Sequence, residues 1–255
     1  MRNLKDRLLL LHMKTQKLAI GLLAITMISC NSVKKETSSE NSETYADIKM
    51  VGAMKNVMWK GELGSSIDLD TITNKKGLYA LGPLSYLKGE LLVTNGKSYV
   101  STVNPDSTMS VEKRFDVSAP FLVYTHVTEW TETELPSQIK TIQNLERFID
   151  TQTSDSKRPF AFKLTGKVSS AVIHIQNLPE GTKVSSPKEA HQGQTNFNIT
   201  NEDAEIIGFF STEHQGIFTH HDSFLHIHLI TKDENKMGHV DELQIEEMTL
   251  HLPKK

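Results

Sequence analysis

Past residue 45 the apolar positions of this chain recur mostly at every second residue, and in two places at every third or fourth. The first period marks a strand with one buried face, the second an amphipathic helix. "DIKMVGAMKNVMWKGEL" sets Ile48, Val51, Met54, Val57 and Met58 at helical spacing, so a helix is expected there with Gly61 as its stop. "PSQIKTIQNLERFIDTQ" does the same with Ile139, Ile142, Leu145, Phe148 and Ile149 and is the clearest helical pattern. "GLYALGPLSYLKGELLVTNGKSYVSTV" is β-like. Its Asn95-Gly96 pair accepts positive φ at both central turn positions, so "ELLV" and "KSYVSTV" are expected to pair as a hairpin. "APFLVYTHVTEW" (119–130) reads as one further strand, and "FAFKLTGKVSSAVIHIQNL" as strand, glycine turn, strand. "EIIGFFST", "SFLHIHLIT" and "LQIEEMTLHL" complete the set. Strands outnumber helices and much of the pairing reads as antiparallel, which makes the expected fold class α+β.

Composition changes this picture little. A chain of 255 residues allows one large or two small domains. The net charge is −3 and no basic block stands out, so nothing points to nucleic acid as a partner. The N-terminus matters more. In "MKTQKLAIGLLAITMISC" two lysines, Lys14 and Lys17, precede an apolar run from Leu18 to Ile28 that ends at Ser29-Cys30. The run is too short to span a bilayer comfortably, and a small residue followed by Cys resembles the lipobox of a bacterial lipoprotein. Met27 stands where Leu is more usual, and residues 1–12 have no part in such a signal, so translation is expected to begin at Met13. A retained N-terminal anchor helix is the alternative. Cys30 is the one cysteine; once it carries lipid, the mature chain has neither free thiol nor disulfide. Residues 31–44, "NSVKKETSSENSET", cannot bury surface and read as a tether. The expected layout is a signal peptide over 1–30, a flexible tether over 31–45 and a folded domain over 46–255. The protein would be lipid-anchored in the cell envelope, with the membrane as a partner.

The candidate chemistry lies in "FLHIHLITKDENKMGH", residues 224–239. As a strand it turns Leu225, Ile227 and Leu229 one way, and Phe224, His226, His228 and Ile230 the other. Two imidazoles about 7 Å apart at their Cα atoms on one face can both reach one metal ion. His239 follows His228 beyond the polar turn "TKDENKMG", at a distance that suits a hairpin bringing it opposite the pair. Three neutral nitrogen ligands leave positions open for water or substrate, as in catalytic zinc sites. Imidazole also suits iron, copper and nickel, so the ligands alone do not fix the metal. The spacing is equally compatible with core-edge histidines that hold nothing. A cupin-type site would want a Glu closer to the pair than Glu234 stands.

"EIIGFFS", then "GIF", then "LHIHLITKDENKMGHV" resembles the end of acetolactate decarboxylases, which carry a GFW-type strand, a Gly-Ile segment, HLHF-(S/T)-D-(D/R) and GGHV. Upstream, "GLYALGPLSYLKGELLVTNGKSY", "APFLVYTHV" and "RPFAFKLTGKVSSAVIH" resemble further segments of that family, in the same order. The resemblance implies two packed β-rich subdomains with a zinc ion in a cleft, and removal of CO2 from 2-acetolactate to give acetoin. His226, His228 and His239 match the zinc ligands. Glu90 matches the family's strand glutamate near the metal, as a ligand, a proton relay or both. Lys163 falls where an arginine facing the substrate is expected; lysine keeps the charge and loses the planar fork that grips a carboxylate. A homodimer is common in the family.

Two departures accompany the match. Family chains continue into a tail with another catalytic glutamate, whereas this chain stops at "TLHLPKK", with Glu246 or Glu247 as stand-ins or simply strand surface. The loop "GIFTHHDSFLH" is longer than its counterpart and carries His220, His221 and Asp222, which would line the pocket, add a ligand or be solvated. Three functions are compatible with this pattern: an exported acetolactate decarboxylase, a related metal-dependent lyase on another 2-hydroxy-3-keto acid, or a tethered protein that only binds a metal or small acid. For the N-terminal reading, Cys30→Ser is expected to abolish incorporation of labelled fatty acid and move the protein from the membrane to the soluble fraction. Unchanged labelling would refute it.

Overall fold

The computed structural model describes residues 47–254. The expected signal and tether, with Cys30, lie outside the described residues. No described helix is long and apolar enough to cross a membrane.

The segment expected as one helix over 48–61 divides. Lys49–Val51 forms strand β1, and only Met54–Lys60 forms helix α1. Gly52 between them has φ +68, and a Cβ there would stand 2.2 Å from the Pro120 carbonyl oxygen, so the chain turns where a helix would continue. Gly61 does end the helix: it is left-handed at φ 66, and its N–H donates to the Asn56 carbonyl.

The chain then makes β2 (Ile67–Asp68), β3 (Leu78–Pro83), β4 (Glu90–Thr94), β5 (Lys97–Val103), β6 (Met109–Lys113) and β7 (Ser118–Ala119). The β4–β5 hairpin turns at Asn95 and Gly96 with φ 45 and 79, as the dipeptide requires. The stretch expected as one strand over 119–130 instead serves two sheets, through β8 (Leu122–His126) and β9 (Trp130–Glu134). The first sheet has the order β1-β8-β3-β4-β5-β6 and is antiparallel at every pairing. β2 and β7 pair separately.

Helix α2 (Ile142–Gln152) begins at Thr141, whose side chain accepts from the Asn144 N–H, and buries Leu145 and Ile149. Next come β10 (Phe160–Ile175), the short α3 (Pro187–Ala190), β11 (Thr195–Phe210), β12 (Leu225–Thr231) and β13 (Met237–Pro253). They form the second sheet, in the order β10-β11-β12-β13-β9, and β13 also pairs with β10. Three long strands and the shorter β12 therefore close on themselves as a small barrel. Gly166 makes no turn in β10. It lies in an unbroken strand at φ +144, where a Cβ would meet the Glu247 carbonyl oxygen at 2.3 Å. Glycine lets β13 pass close beside a set of register shifts from Lys167 to Ser170.

The barrel interior holds Phe160, Phe162, Leu164, Ile206, Phe210, Leu225, Ile227 and Leu229, closed at one side by Leu145 and Ile149 of α2. A second core joins the two sheets, with Tyr79, Leu81, Leu92 and Val123 against Ala161, Ile207, Phe209, Ile230 and Met237. Within β12 the alternation holds, with its odd-numbered apolar residues inside the barrel and His226, His228 and Ile230 toward the first sheet. Phe224, expected on the histidine face, instead precedes the strand and packs against the barrel core at Phe210. The α+β reading holds, with few helices and mostly antiparallel strands. Gly208 faces Phe162 so closely that a Cβ would come within 2.1 Å of its Cζ and 2.8 Å of the Ile227 Cγ2. Gly208→Ala is expected to destabilise the fold by about 1–3 kcal/mol through overpacking, read as a lower urea midpoint at unchanged m-value.

Candidate metal centre and cleft

The hairpin from β12 to β13 pairs His228 with His239. The barrel closure pairs His239 in turn with His174 of β10. Three histidines therefore form a row across three strands, and His226 stands two residues along β12 from one of them. The rings of His226, His228 and His239 have centroids 5.0, 5.2 and 5.3 Å apart. One ligand nitrogen from each can be chosen so that all lie within 4.8 Å of one another. The Nε2 atoms of His226 and His228 face each other at 3.2 Å.

That spacing tests the site for a metal. Two nitrogens bound to one tetrahedral ion at about 2.0–2.1 Å stand about 3.3–3.4 Å apart. Burial pushes all three imidazoles down, helped by the neighbouring rings, His226 to about 3 and the others well below the ordinary value. The rings are therefore neutral at physiological pH, which is the form that ligates a cation. His226 Nδ1 is buried without a partner among the described residues. The donor set fits a nitrogen-preferring divalent ion.

Glu90 joins the group from the first sheet. It opens β4, pairs with Pro83 and Ser101, and is only 3% exposed. Its Oε1 accepts from the Gln176 backbone N–H at 3.2 Å, and its Oε2 is 3.7 Å from His228 Nε2. Burial raises its carboxyl well above the usual range, against the lowering effect of the Gln176 bond. His174, which sequence reasoning missed, packs its ring 4.7 Å from that of His239 and holds Asp241 through Nδ1 at 2.8 and 2.9 Å. The signal for it was present. In "VIHIQ", Ile173 and Ile175 are buried apolar residues, so His174 and Gln176 share the opposite face, just as His226 and His228 do.

His226, His239, Glu90, His174 and Asp241 line a cleft of about 600 Å³, with His228 buried behind them; its other wall is apolar, with Met54, Met58 and Trp59 of α1, Leu87 and Phe121. His220 and His221 reach its rim. They are exposed together with Asp222, which pairs with His220 at 2.5 Å, and form a second, outer cluster of donors. Glu246 is exposed strand surface paired with Lys167 at 3.1 Å, and Glu247 is exposed beside it. Lys163 is not brought to the histidines. Its Nζ lies 5.6 Å from the Trp130 ring, in a separate depression with Tyr79, Thr165 and Glu205. Lys163 pairs with His251 near the end of β13, whereas His174 pairs with His239 near its start, so the two ends of β10 open on different clefts.

Residues 50–254 match the family model for alpha-acetolactate decarboxylase. The chain belongs to the alpha-acetolactate decarboxylase family. Among its relatives, the alpha-acetolactate decarboxylase of Brevibacillus brevis is 25% identical over 241 residues, covering 90% of this chain and 81% of that protein. That of Bacillus subtilis strain 168 is 24% identical over 229 residues, covering 88% of this chain and 85% of that one. The crystal structure of alpha-acetolactate decarboxylase from Bacillus subtilis strain 168 superposes with a TM-score of 0.69 at 24% identity, covering 82% of this chain and 86% of that chain. A Staphylococcus aureus protein of unknown function, similar to alpha-acetolactate decarboxylase, superposes with a TM-score of 0.68 at 16% identity, covering 80% and 84%. The family and the fold expected from the sequence motifs therefore hold, and the family's activity is decarboxylation of acetolactate.

For this decarboxylase-family domain, His228→Ala and His239→Ala are each expected to abolish retention of a divalent metal after loading and dialysis, measured by elemental analysis. His220→Ala should retain it. Equal loss in all three variants would move the metal to the rim.

Proposed function

We propose that this protein decarboxylates 2-acetolactate to acetoin and CO2, using a zinc ion held by His226, His228 and His239. The observation that supports this is the convergence of three neutral imidazoles beside a buried carboxyl, inside one cleft of an acetolactate decarboxylase-family domain. Zinc held by these three nitrogens would supply a Lewis acid in the cleft, worth several kcal/mol of charge stabilisation. The chain's own residues do the remaining work. The imidazoles keep their neutral form through burial, and the apolar wall of Met54, Met58 and Phe121 excludes water from the electron pair left when CO2 departs. That carbon then needs a proton. Two carboxyls line the cleft among the described residues, Glu90 and Asp241, and Asp241 is occupied with His174. Glu90 is therefore assigned the proton relay, close to His228 and fixed by the Gln176 N–H.

A second reading is favoured by one observation. The cleft of about 600 Å³, with Trp59 on its apolar wall, has room for a 2-hydroxy-3-keto acid with larger alkyl groups than acetolactate. We also propose residence in the cell envelope through lipid on Cys30, supported by the pattern from Met13 to Cys30.

Zinc-loaded protein given racemic acetolactate should form acetoin well above the spontaneous rate, detected colorimetrically. Glu90→Gln is expected to lower kcat by about 10²–10⁴-fold, the range for a positioned acid. Full zinc occupancy with no acetoin would overturn the acetolactate assignment.

A further inference from the structure

Beside the three imidazoles, from His174 onward, the cleft carries a chain of oriented hydrogen bonds. Gln176 follows β10, is 4% exposed and lines the cleft. Its side-chain Nε2 lies 3.3 Å from His174 Nε2 and 3.3 Å from Gln194 Oε1. Gln194 is oriented in turn, because its own Nε2 donates to Asn196 Oδ1 at 3.1 Å. His174 Nδ1 faces the two Asp241 oxygens at 2.8 and 2.9 Å, which leaves Nε2 as the ring atom turned to the Gln176 amide. Both amide protons of Gln176 are thereby used. Reversed, the amide would set its oxygen against the lone pair of Nε2 and the oxygen of Gln194. The amide oxygen of Gln176 is left buried with no partner among the described residues.

Buried acceptors are normally satisfied, so an unpaired one in a cleft marks where a ligand's donor belongs. On the reading of this cleft given above, the ligand is the anion of a 2-hydroxy-3-keto acid. Its carboxylate and its ketone only accept hydrogen bonds. The hydroxyl is the one donor such a molecule has. We propose that the amide oxygen of Gln176 accepts the hydrogen bond of the substrate's hydroxyl, which makes Gln176 the residue that selects 2-hydroxy acids over their deoxy counterparts. The proposal rests on that reading of the cleft and adds a contact to it. His174, Asp241 and Gln194 act as positioning residues that fix the amide.

The test uses two stable acids that differ only in this group, 2-hydroxy-2-methylbutanoate and 2,2-dimethylbutanoate, in which a methyl replaces the hydroxyl. Their dissociation constants are measured calorimetrically on the zinc-loaded full chain. Gln176→Met should weaken the hydroxy acid about tenfold, the worth of one hydrogen bond, and leave the dimethyl acid nearly unchanged. Equal weakening of both acids, or an unchanged preference, overturns the proposal. Melting temperature and zinc content confirm that the variant is folded and loaded. A measurement on the wild type needs no variant: 2-methoxy-2-methylbutanoate keeps the oxygen but lacks the proton. It should bind no better than the dimethyl acid, and binding as tight as that of the hydroxy acid refutes the contact. If the wild type binds none of the three acids, the cleft reading itself fails. If it binds them without the expected preference, only the role of Gln176 fails.

Discussion

The register of β13 is the constraint on which the rest of this molecule depends. At its start the strand pairs with β12 and sets His239 opposite His228; along its length it pairs with β10 and sets His174 opposite His239. In a strand, a slip of one residue turns every side chain to the other face. Here it would carry His239 out of the site and aim Val240 into it. Register is held from both sides. Leu225, Ile227, Leu229 and Val240 are committed to the barrel core, and Gly238 approaches β10 so closely that a Cβ would lie 2.6 Å from the His174 carbonyl oxygen. The apolar interior, which has no chemistry of its own, thus fixes the histidines.

The cluster so fixed is a poor contributor to stability. Neutral imidazoles that face one another offer lone pair to lone pair, and one proton between two rings satisfies only part of the set. Burying unpaired polar groups costs free energy wherever it occurs. Glu90 adds a carboxyl that burial keeps from ionising easily. A divalent cation would relieve the conflict in a single step, giving one nitrogen of each ring a partner. The same burial that makes unpaired imidazoles costly keeps the rings neutral and so makes them good ligands.

The cleft has two unlike walls because two unlike elements form it. Helix α1 contributes methionines and a tryptophan, and the end of β10 contributes His174 and Gln176. The N-terminus of α1 is tied to the rim loop by backbone bonds from Met54 to Ile217 and from Lys55 to Gly216. A small anion with an alkyl end suits such a space, with its oxygens toward the imidazoles and amides and its carbon groups against α1.

Much of this was legible in the chain itself. The period of two in "FLHIHLI" placed His226 and His228 on one face, Asn95-Gly96 fixed a hairpin, and ordered motifs identified the family. These are local properties, set by backbone geometry and by neighbours a few residues away. The same local signals misread Gly166 as a turn and drew one helix across Gly52, because close contacts with Glu247 and Pro120 are invisible in sequence. Whether Lys163 or His174 would reach the histidines was likewise beyond local reading, since both alternate correctly along a single strand. Closure of β10 against β13 decided it, by sending one end of that strand to the imidazoles and the other to Trp130. Pairing between segments some seventy residues apart depends on how the whole chain buries its apolar faces, and no short window contains that information.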